Sequence, residues 1–448
     1  MKKTLILTAA LGLISASPLM ALDLYITGAT AFRANVHDAC KALFDTTPVA
    51  GTTLRYGAVA TGGTGASANS NPQWTMSGTV SNKISALGTT PLTIHAIFTG
   101  SVQGNQTVVT PGTKVVFLDS TGNAITNTAT IAYSDCASSS TPFPATGNYS
   151  EETVAIQPFC VLRSALNNTN INNLTWEQLR YGSQAGRIPL SSFTGKAADR
   201  TTFVYVLERS KDSGTRRNQF AAVQFGYNQS ATVYNFDVTN SVFYKATNTV
   251  WALAGGNSNG VVSYGVVGGT PGFNNNNANS TWGSGYVGGG DLRTALYVNN
   301  AANLSIGVVS FADAKTGIGG SSSNWSQVIS FGGFWPTAAG IGIRSNTGTN
   351  DFSPVTSGSY GLWGNEVCIY PTIDPSTISA DQNLTAALLG NQSTSGTILG
   401  VLNAVTVGTP VPGSIDAEIE NSKVAGATAI RVNDMVSSRA SVGGTITP

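Results

Sequence analysis

The residues best placed to do chemistry lie in one run, Glu208-Arg209-Ser210-Lys211-Asp212-Ser213-Gly214-Thr215. It follows a strand-like segment, Thr202 to Leu207, and opens a helix-like one, Thr215 to Tyr227. Ser213, Gly214 and Thr215 therefore put two hydroxyls and several unpaired backbone N–H groups at a helix N-terminus. Orphan donors and the helix dipole both favour an anion there. Arg209 lies just upstream, and its planar, permanently charged fork suits an oxyanion. Ser-Gly-Thr alone also fits a plain N-cap. The arginine after the strand is what turns the motif towards anion binding.

Two other strand ends carry matching groups. Gly28-Ala29-Thr30-Ala31-Phe32 opens the first helix, and Thr99-Gly100-Ser101 opens the next unit. Each offers a hydroxyl and exposed N–H groups at the carboxyl edge of a sheet, where open α/β sheets bind ligands. Asp135 ends a third strand, Ile131 to Asp135. An ionised Asp only accepts hydrogen bonds, so its place beside an anion makes sense if the ligand brings a proton. Hydrogen phosphate can donate to it and fully ionised sulfate cannot, so one carboxylate selects between them.

The catalytic inventory is thin. There are two histidines; His37 falls on the first helix, and His95 in an apolar strand reads as a satisfied core residue. The sequence has no HExxH zinc motif, no nucleophile elbow with partners and no phosphate-cradling P-loop. Lys315-Thr316 lacks the preceding Gly, and Lys196 lacks the following Ser or Thr. No spacing favours a carboxylate pair. A non-enzyme with no cofactor and no metal is expected.

These groups need a scaffold, and 448 residues are enough for two lobes. Charged residues are 10% of the chain, against roughly 25% in an ordinary soluble protein. Lys+Arg is 23 and Asp+Glu 22, so no basic excess exists to hold a nucleic-acid backbone. Hydrophobic residues, at 41%, can fill a large core. Short apolar strands alternate with helical patterns, which predicts an α/β fold with mostly parallel sheets covered on both faces. Thr107 to Leu118 and Ala124 to Ala132 read as a β-hairpin excursion. Asn228 to Gly290, with its run Asn274 to Asn277, reads as long surface loops around short strands such as Val261 to Val267.

Lys2 and Lys3 precede a short apolar run, Leu5 to Ala16, and Ala21 offers a cleavage point. Residues 1–21 thus read as a signal peptide, and no later segment reads as a membrane span. An exported protein, periplasmic or at the cell surface, is expected. The four cysteines, Cys40, Cys136, Cys160 and Cys368, allow three pairings in an oxidising compartment. Cys160 with Cys368, both on strands read as crossover or returning strands, is the preferred pair, leaving Cys40 with Cys136. Buried free thiols are the alternative.

In order and context, TGATAF (27–32), TGSVQG (99–104), YSD (133–135) and R-x-x-x-SGT (209–215) resemble the phosphate-specific solute-binding proteins of ABC transporters. Leu174 to Gly195 resembles that family's helix and loop after the first crossover. The resemblance spans most of Leu22 to Pro375. It implies a two-lobed type II periplasmic-binding-protein fold, with lobe one at 22–155 plus 313–375, lobe two at 156–312 and a C-terminal extension at 376–448. It implies inorganic phosphate as ligand, an ABC-transporter permease as partner, and a monomer. Family ligand roles fall on Phe32 through its N–H, Ser101, Asp135 as proton acceptor, Arg209, Ser213, Gly214 and Thr215. The family usually has Thr directly before the Phe; here Ala31 stands there and Thr30 lies one place earlier. An exported structural or surface protein that reuses the fold without phosphate transport is the second reading.

Overall fold

The computed structural model describes residues 21–49, 51–57, 71–164, 170–226, 229–237, 241–245, 261–262, 285–286, 288–297, 303–316, 327–338, 350–423, 428–439 and 446–447. Residues 1–20 of the expected leader, and most of the Asn/Gly-rich stretch, lie outside the described residues.

The chain opens with β1 (Leu22–Gly28) and α1 (Arg33–Leu43). β1 is buried almost throughout, as a strand covered on both faces must be. α1 turns Val36, Ala39, Cys40 and Leu43 inward at helical spacing. β2 (Leu54–Tyr56), β3 (Gln73–Gly78) and β4 (Leu92–Ile97) follow, then α2 (Ser101–Val109). α2 lies so close to β1 that a Cβ on Gly104 would sit 2.7 Å from the Gly28 Cα. Thr107 to Val109 complete this helix rather than starting a hairpin. The hairpin is shorter, β5 (Lys114–Leu118) against β6 (Ala124–Asn127). Next come β7 (Ile131–Ser134) and the long β8 (Tyr149–Arg163).

The second half contains β9 (Asn173–Leu174), α3 (Trp176–Ala185), β10 (Arg187–Pro189), α4 (Ser191–Thr194) and β11 (Phe203–Leu207). Thr175 and Gln178 form a capping box at the start of α3, and Gly186 ends it at φ 77°. α5 (Gly214–Ala222), β12 (Tyr234–Asp237), β13 (Val242–Lys245) and β14 (Val261–Val262) follow. Then come α6 (Gly289–Tyr297), β15 (Ser305–Ser310), α7 (Phe311–Thr316), β16 (Gln327–Phe331), α8 (Ser353–Thr356) and β17 (Trp363–Pro371).

The main path of the large sheet runs β13-β12-β11-β15-β8-β17-β7-β1-β4-β3-β2. Its parallel pairs are the ones that alternation of strand and helix predicts: β1 with β4 and β7, and β11 with β12 and β15. Antiparallel pairs join these two parallel centres and extend the margins, so the sheet is mixed α/β rather than mostly parallel as expected from the sequence. β8 is the connector. Its first part pairs antiparallel with β17 as far as Pro158, and from Phe159 it pairs with β15. Pro158 has no N–H to give a ladder, and it sits where the strand changes partner.

Two principal cores result. One gathers Leu24, Val36, Trp74, Ile94 and Tyr133, and the other Phe159, Leu179, Val206, Leu292 and Tyr360. Phe311, Phe331, Phe352 and Leu362 pack in the second core, so the chain returns to the first within β17, between Trp363 and Cys368, rather than at residue 313. The C-terminal segment forms α9 (Pro375–Ile378), α10 (Ala386–Leu389), α11 (Ile398–Leu402) and α12 (Ile415–Ser422). Leu389, Ile398, Leu402, Ile415 and Ile419 from these helices are part of the first core.

All four cysteines are free and buried, which corrects both expected disulfides. Cys368 pairs in register with Glu152 on β8, eight residues short of Cys160. At roughly 3.4 Å per residue along a strand, no disulfide spans that offset. Cys40 packs in the first core from α1. Cys136 instead lies beyond β7 against Ser134. Burial pushes each thiol above its ordinary pKa, as befits cysteines that act as small apolar side chains.

Candidate functional site

Three strands of the first half run parallel, so their carboxyl ends meet at one edge. β1 ends at Gly28, whose carbonyl accepts from the N–H groups of Thr99 and Gly100 just beyond β4. Asp135 follows β7, and its N–H donates to Ser101 Oγ at 3.1 Å. Thr30, Ser101 and Asp135 are thus gathered by strand topology from segments separated by up to about a hundred residues. Phe32 caps the start of α1, and its ring is buried against Tyr133, 6.3 Å between centroids.

From the second half, β11 delivers Arg209 and the N-terminus of α5. The Ser213 hydroxyl caps the helix by accepting from the Arg216 N–H at 3.4 Å. Gly214 is demanded by proximity: a Cβ there would lie 2.4 Å from Ser101 Oγ and 2.7 Å from the Asp135 Cβ. The first turn of α5 therefore rests directly on the strand ends of the other half. The Val102 N–H also donates to the Asp212 carbonyl at 3.0 Å across the same boundary.

Arg209 is the bridge. It is 2% exposed. Its Nη2 donates to Thr30 Oγ1 at 3.1 Å, its Nη1 reaches Thr215 Oγ1 at 3.5 Å, and its Nε donates to the Tyr286 carbonyl at 3.3 Å. Thr215 in turn donates to Asp135 Oδ2 at 3.3 Å. Thr30, Ser101, Asp135, Arg209, Ser213, Gly214 and Thr215 thus belong to one continuous arrangement, and Phe32 adjoins it through the turn it shares with Thr30. Ala31, which supplies no hydroxyl, is buried beside Thr30, and Thr30 is the residue that meets the guanidinium.

Burial lowers the pKa of the Arg209 guanidinium, and Asp313, Asp135 and Asp291 oppose that by their charge. Sequence reasoning missed Asp313 and Asp291. Asp313 follows β15 and accepts from Ser310 Oγ at 2.7 Å; Asp291 accepts from the Gly288 N–H at 3.0 Å. Asn218, one turn into α5, was also missed, and its amide donates to the Asp135 and Gly214 carbonyls. Glu366 on β17 is the fourth, fully buried and within hydrogen-bonding reach of Asp135. An Asp or Glu two hundred residues from the motif gives no local signal.

Both histidines lie elsewhere. His95 stacks on Tyr25 at 4.7 Å, with its ring nitrogens against the Leu118 carbonyl and Asp23. His37 meets Tyr56 and Asp38. Among the described residues, no cluster of His, Cys, Asp and Glu is arranged to hold a metal, and no helix is long and apolar enough to cross a membrane. What the arrangement offers is one buried cation, several hydroxyls and helix N–H groups, and a carboxyl acceptor. That set suits a small oxyanion carrying a proton.

No family model and no curated sequence matches the chain. Several solved structures resemble it at low similarity. A phosphate ABC transporter substrate-binding protein from Clostridium perfringens, solved with bound phosphate, is 12% identical at a TM-score of 0.38, covering 81% of this chain and 98% of that one. An ABC-type phosphate transport receptor from Vibrio cholerae is 13% identical at 0.36, covering 80% and 91%. The high-affinity periplasmic phosphate-binding protein PfluDING, bound with phosphate, is 14% identical at 0.37, covering 92% and 90%.

Proposed function

We propose that this chain is an exported, non-enzymatic receptor that binds phosphate, or a similar protonated oxyanion, between two lobes. Thr30, the Phe32 N–H, Ser101 and Asp135 act from the first lobe, and Arg209, Ser213, Gly214 and Thr215 from the second. The observation that carries this reading is the bridge itself. A buried guanidinium from one half bonds Thr30 of the other, while Thr215 beside it bonds Asp135. These groups bond one another across the boundary between the halves, and bound phosphate would exchange those bonds for its own oxygens and its proton. Because the ligand would touch both lobes, it would favour closure by differential contacts. Delivery to an ABC-transporter permease by a monomeric receptor is the corresponding role.

Titration calorimetry of the purified protein with inorganic phosphate tests it, with Arg209→Ala as the control. Saturating ligand at a hundredfold over Kd adds about 2.7 kcal/mol of stability, so a rise in melting temperature accompanies the heat. No heat and no rise with wild-type protein would overturn the reading.

A further inference from the structure

We propose that Glu366 and Asp135 form a proton-sharing carboxyl pair, and that Glu366 thereby sets the charge on the oxyanion site and its selectivity. The effect on the ligand rests on the phosphate reading; the pair itself does not.

Register places the two side chains together. β7 and β17 are antiparallel with Val367 opposite Ser134, so the next step sets Glu366 opposite Asp135. Across from it β8 carries a bulge: Glu366 pairs with Ala155 and Val367 with Thr153, which leaves Val154 of β8 as the extra residue. Glu366 is fully buried, and no N–H or O–H donor reaches either of its carboxyl oxygens or Asp135 Oδ1. These three oxygens have only each other. Two bare carboxylates cannot hydrogen-bond, and burying them side by side in ionised form is prohibitive. One shared proton resolves both problems, as in other carboxyl dyads.

The surroundings are consistent. Burial raises the pKa of Glu366 well above its ordinary value, and the charge of Asp135 adds to the effect. Burial raises Asp135 too, against the Glu366 hydrogen bond, the Arg209 charge and the Thr215 hydroxyl; the Asp313 carboxylate acts in the raising direction. Cys136 also faces Glu366, and Arg217 of α5 faces Cys136.

With one proton the pair carries a single negative charge. The proton lies between Glu366 and Asp135 Oδ1, so Asp135 Oδ2, which receives the Thr215 hydroxyl, remains an acceptor towards the ligand. Releasing that proton to solvent puts a second negative charge behind the site and repels the anion. Taking up another turns Asp135 into a donor that no longer rejects sulfate. The charge pattern at the crevice therefore depends on a residue that never touches the ligand.

The test compares wild type with Glu366→Gln. Without ligand, infrared spectra near neutral pH should show a protonated carboxyl C=O component in wild type that is absent from the variant; buried Glu208, whose pKa burial raises to about 7, contributes to both and cancels in the difference. The shared proton is bound in the native state at pH values where the unfolded chain has lost it. Wild-type stability therefore falls as pH rises from the ordinary carboxyl range towards the raised folded value. The unfolding constant changes about tenfold per pH unit for each such proton, and the variant should lose one proton's worth of that slope. Phosphate affinity of wild type should fall about tenfold per pH unit once the pair loses its proton, and that limb should be missing from the variant. Should Glu366→Gln not fold, the wild-type band must fade with alkaline pH in step with stability. A wild-type minus variant difference that lacks this component overturns the pair. If wild type shows the band but binds no phosphate, the receptor reading fails and the pair stands.

Discussion

Gly214→Ala probes the contact on which closure depends. Gly214 has ordinary helical geometry, outside the left-handed region, so alanine adds no backbone strain. As a helix former it would, if anything, stabilise α5 by up to about 1 kcal/mol. The added methyl, however, meets Ser101 Oγ at 2.4 Å, the Asp135 Cβ at 2.7 Å and the Ser101 Cβ at 2.9 Å. Relaxed contacts lie at about 3.5–4.0 Å, so α5 and the first-half strand ends must separate by about 1 Å. Overpacking of this kind costs about 1–3 kcal/mol. If the halves are hinged, the cost falls on the closed state alone. Phosphate affinity in calorimetry should then weaken about 5- to 150-fold, while the ligand-free melting temperature stays near that of wild type. Small-angle scattering should show the phosphate-saturated variant less compact than saturated wild type. A variant that binds as tightly as wild type would refute the idea that this first turn closes on Ser101 and Asp135. A large drop in ligand-free melting temperature would refute the hinge.

Other outcomes follow from single contacts. Asp135→Asn should narrow the preference for phosphate over sulfate in competition calorimetry, because an amide can donate to an unprotonated oxyanion; unchanged selectivity would contradict the acceptor role. All four cysteines should react with a thiol reagent after unfolding without reductant and resist it beforehand, since each is free and buried; a count below four would restore a disulfide. Arg431 holds Asp416 at 2.7 Å and Glu420 at 2.9 Å, with Asp416 itself fully buried. Arg431→Met should therefore destabilise the protein by about 3–5 kcal/mol in denaturant unfolding, and a loss below about 1 kcal/mol would show that the C-terminal segment is not pinned there.

Much of the site was legible because its parts are local. Arg209 with Ser213, Gly214 and Thr215 is a strand end followed by a helix start, and both ends can be read from periodicity and capping chemistry in a dozen residues. Thr30, Ser101 and Asp135 could be assigned to the same edge because parallel strands bring their carboxyl ends together whatever the loop lengths. The hairpin boundary failed at Thr107, where threonine's strand preference lost to the packing of α2 on Gly28. The boundary at 313 failed because α7, β16 and α8 stay with the second core, a matter of which apolar faces meet rather than of any local pattern. Even count and compartment argued for disulfides, and β-register separated the favoured pair.

Glu366 shows where such reading ends. Within Trp363-Gly364-Asn365-Glu366-Val367-Cys368 it is one acidic residue in a strand, a position that ordinarily signals an exposed face or an edge. Its meaning comes from three facts beyond the segment. β17 lies between β7 and β8, α5 crosses close enough that a Cβ on Gly364 would touch Asn218, and Glu366 and Asp135 each follow the last pair of the β17–β7 ladder, Val367 with Ser134. Strand on both sides and helix above leave no route to water. The same topology that gathers the oxyanion donors thus buries a carboxyl behind them, and a charged residue with no solvent and no cation of its own must hold its proton or share it. Motifs bring out the face proposed to meet the ligand. The carboxyl proposed to tune that face comes from the strand behind it, and only the assembled sheet names it.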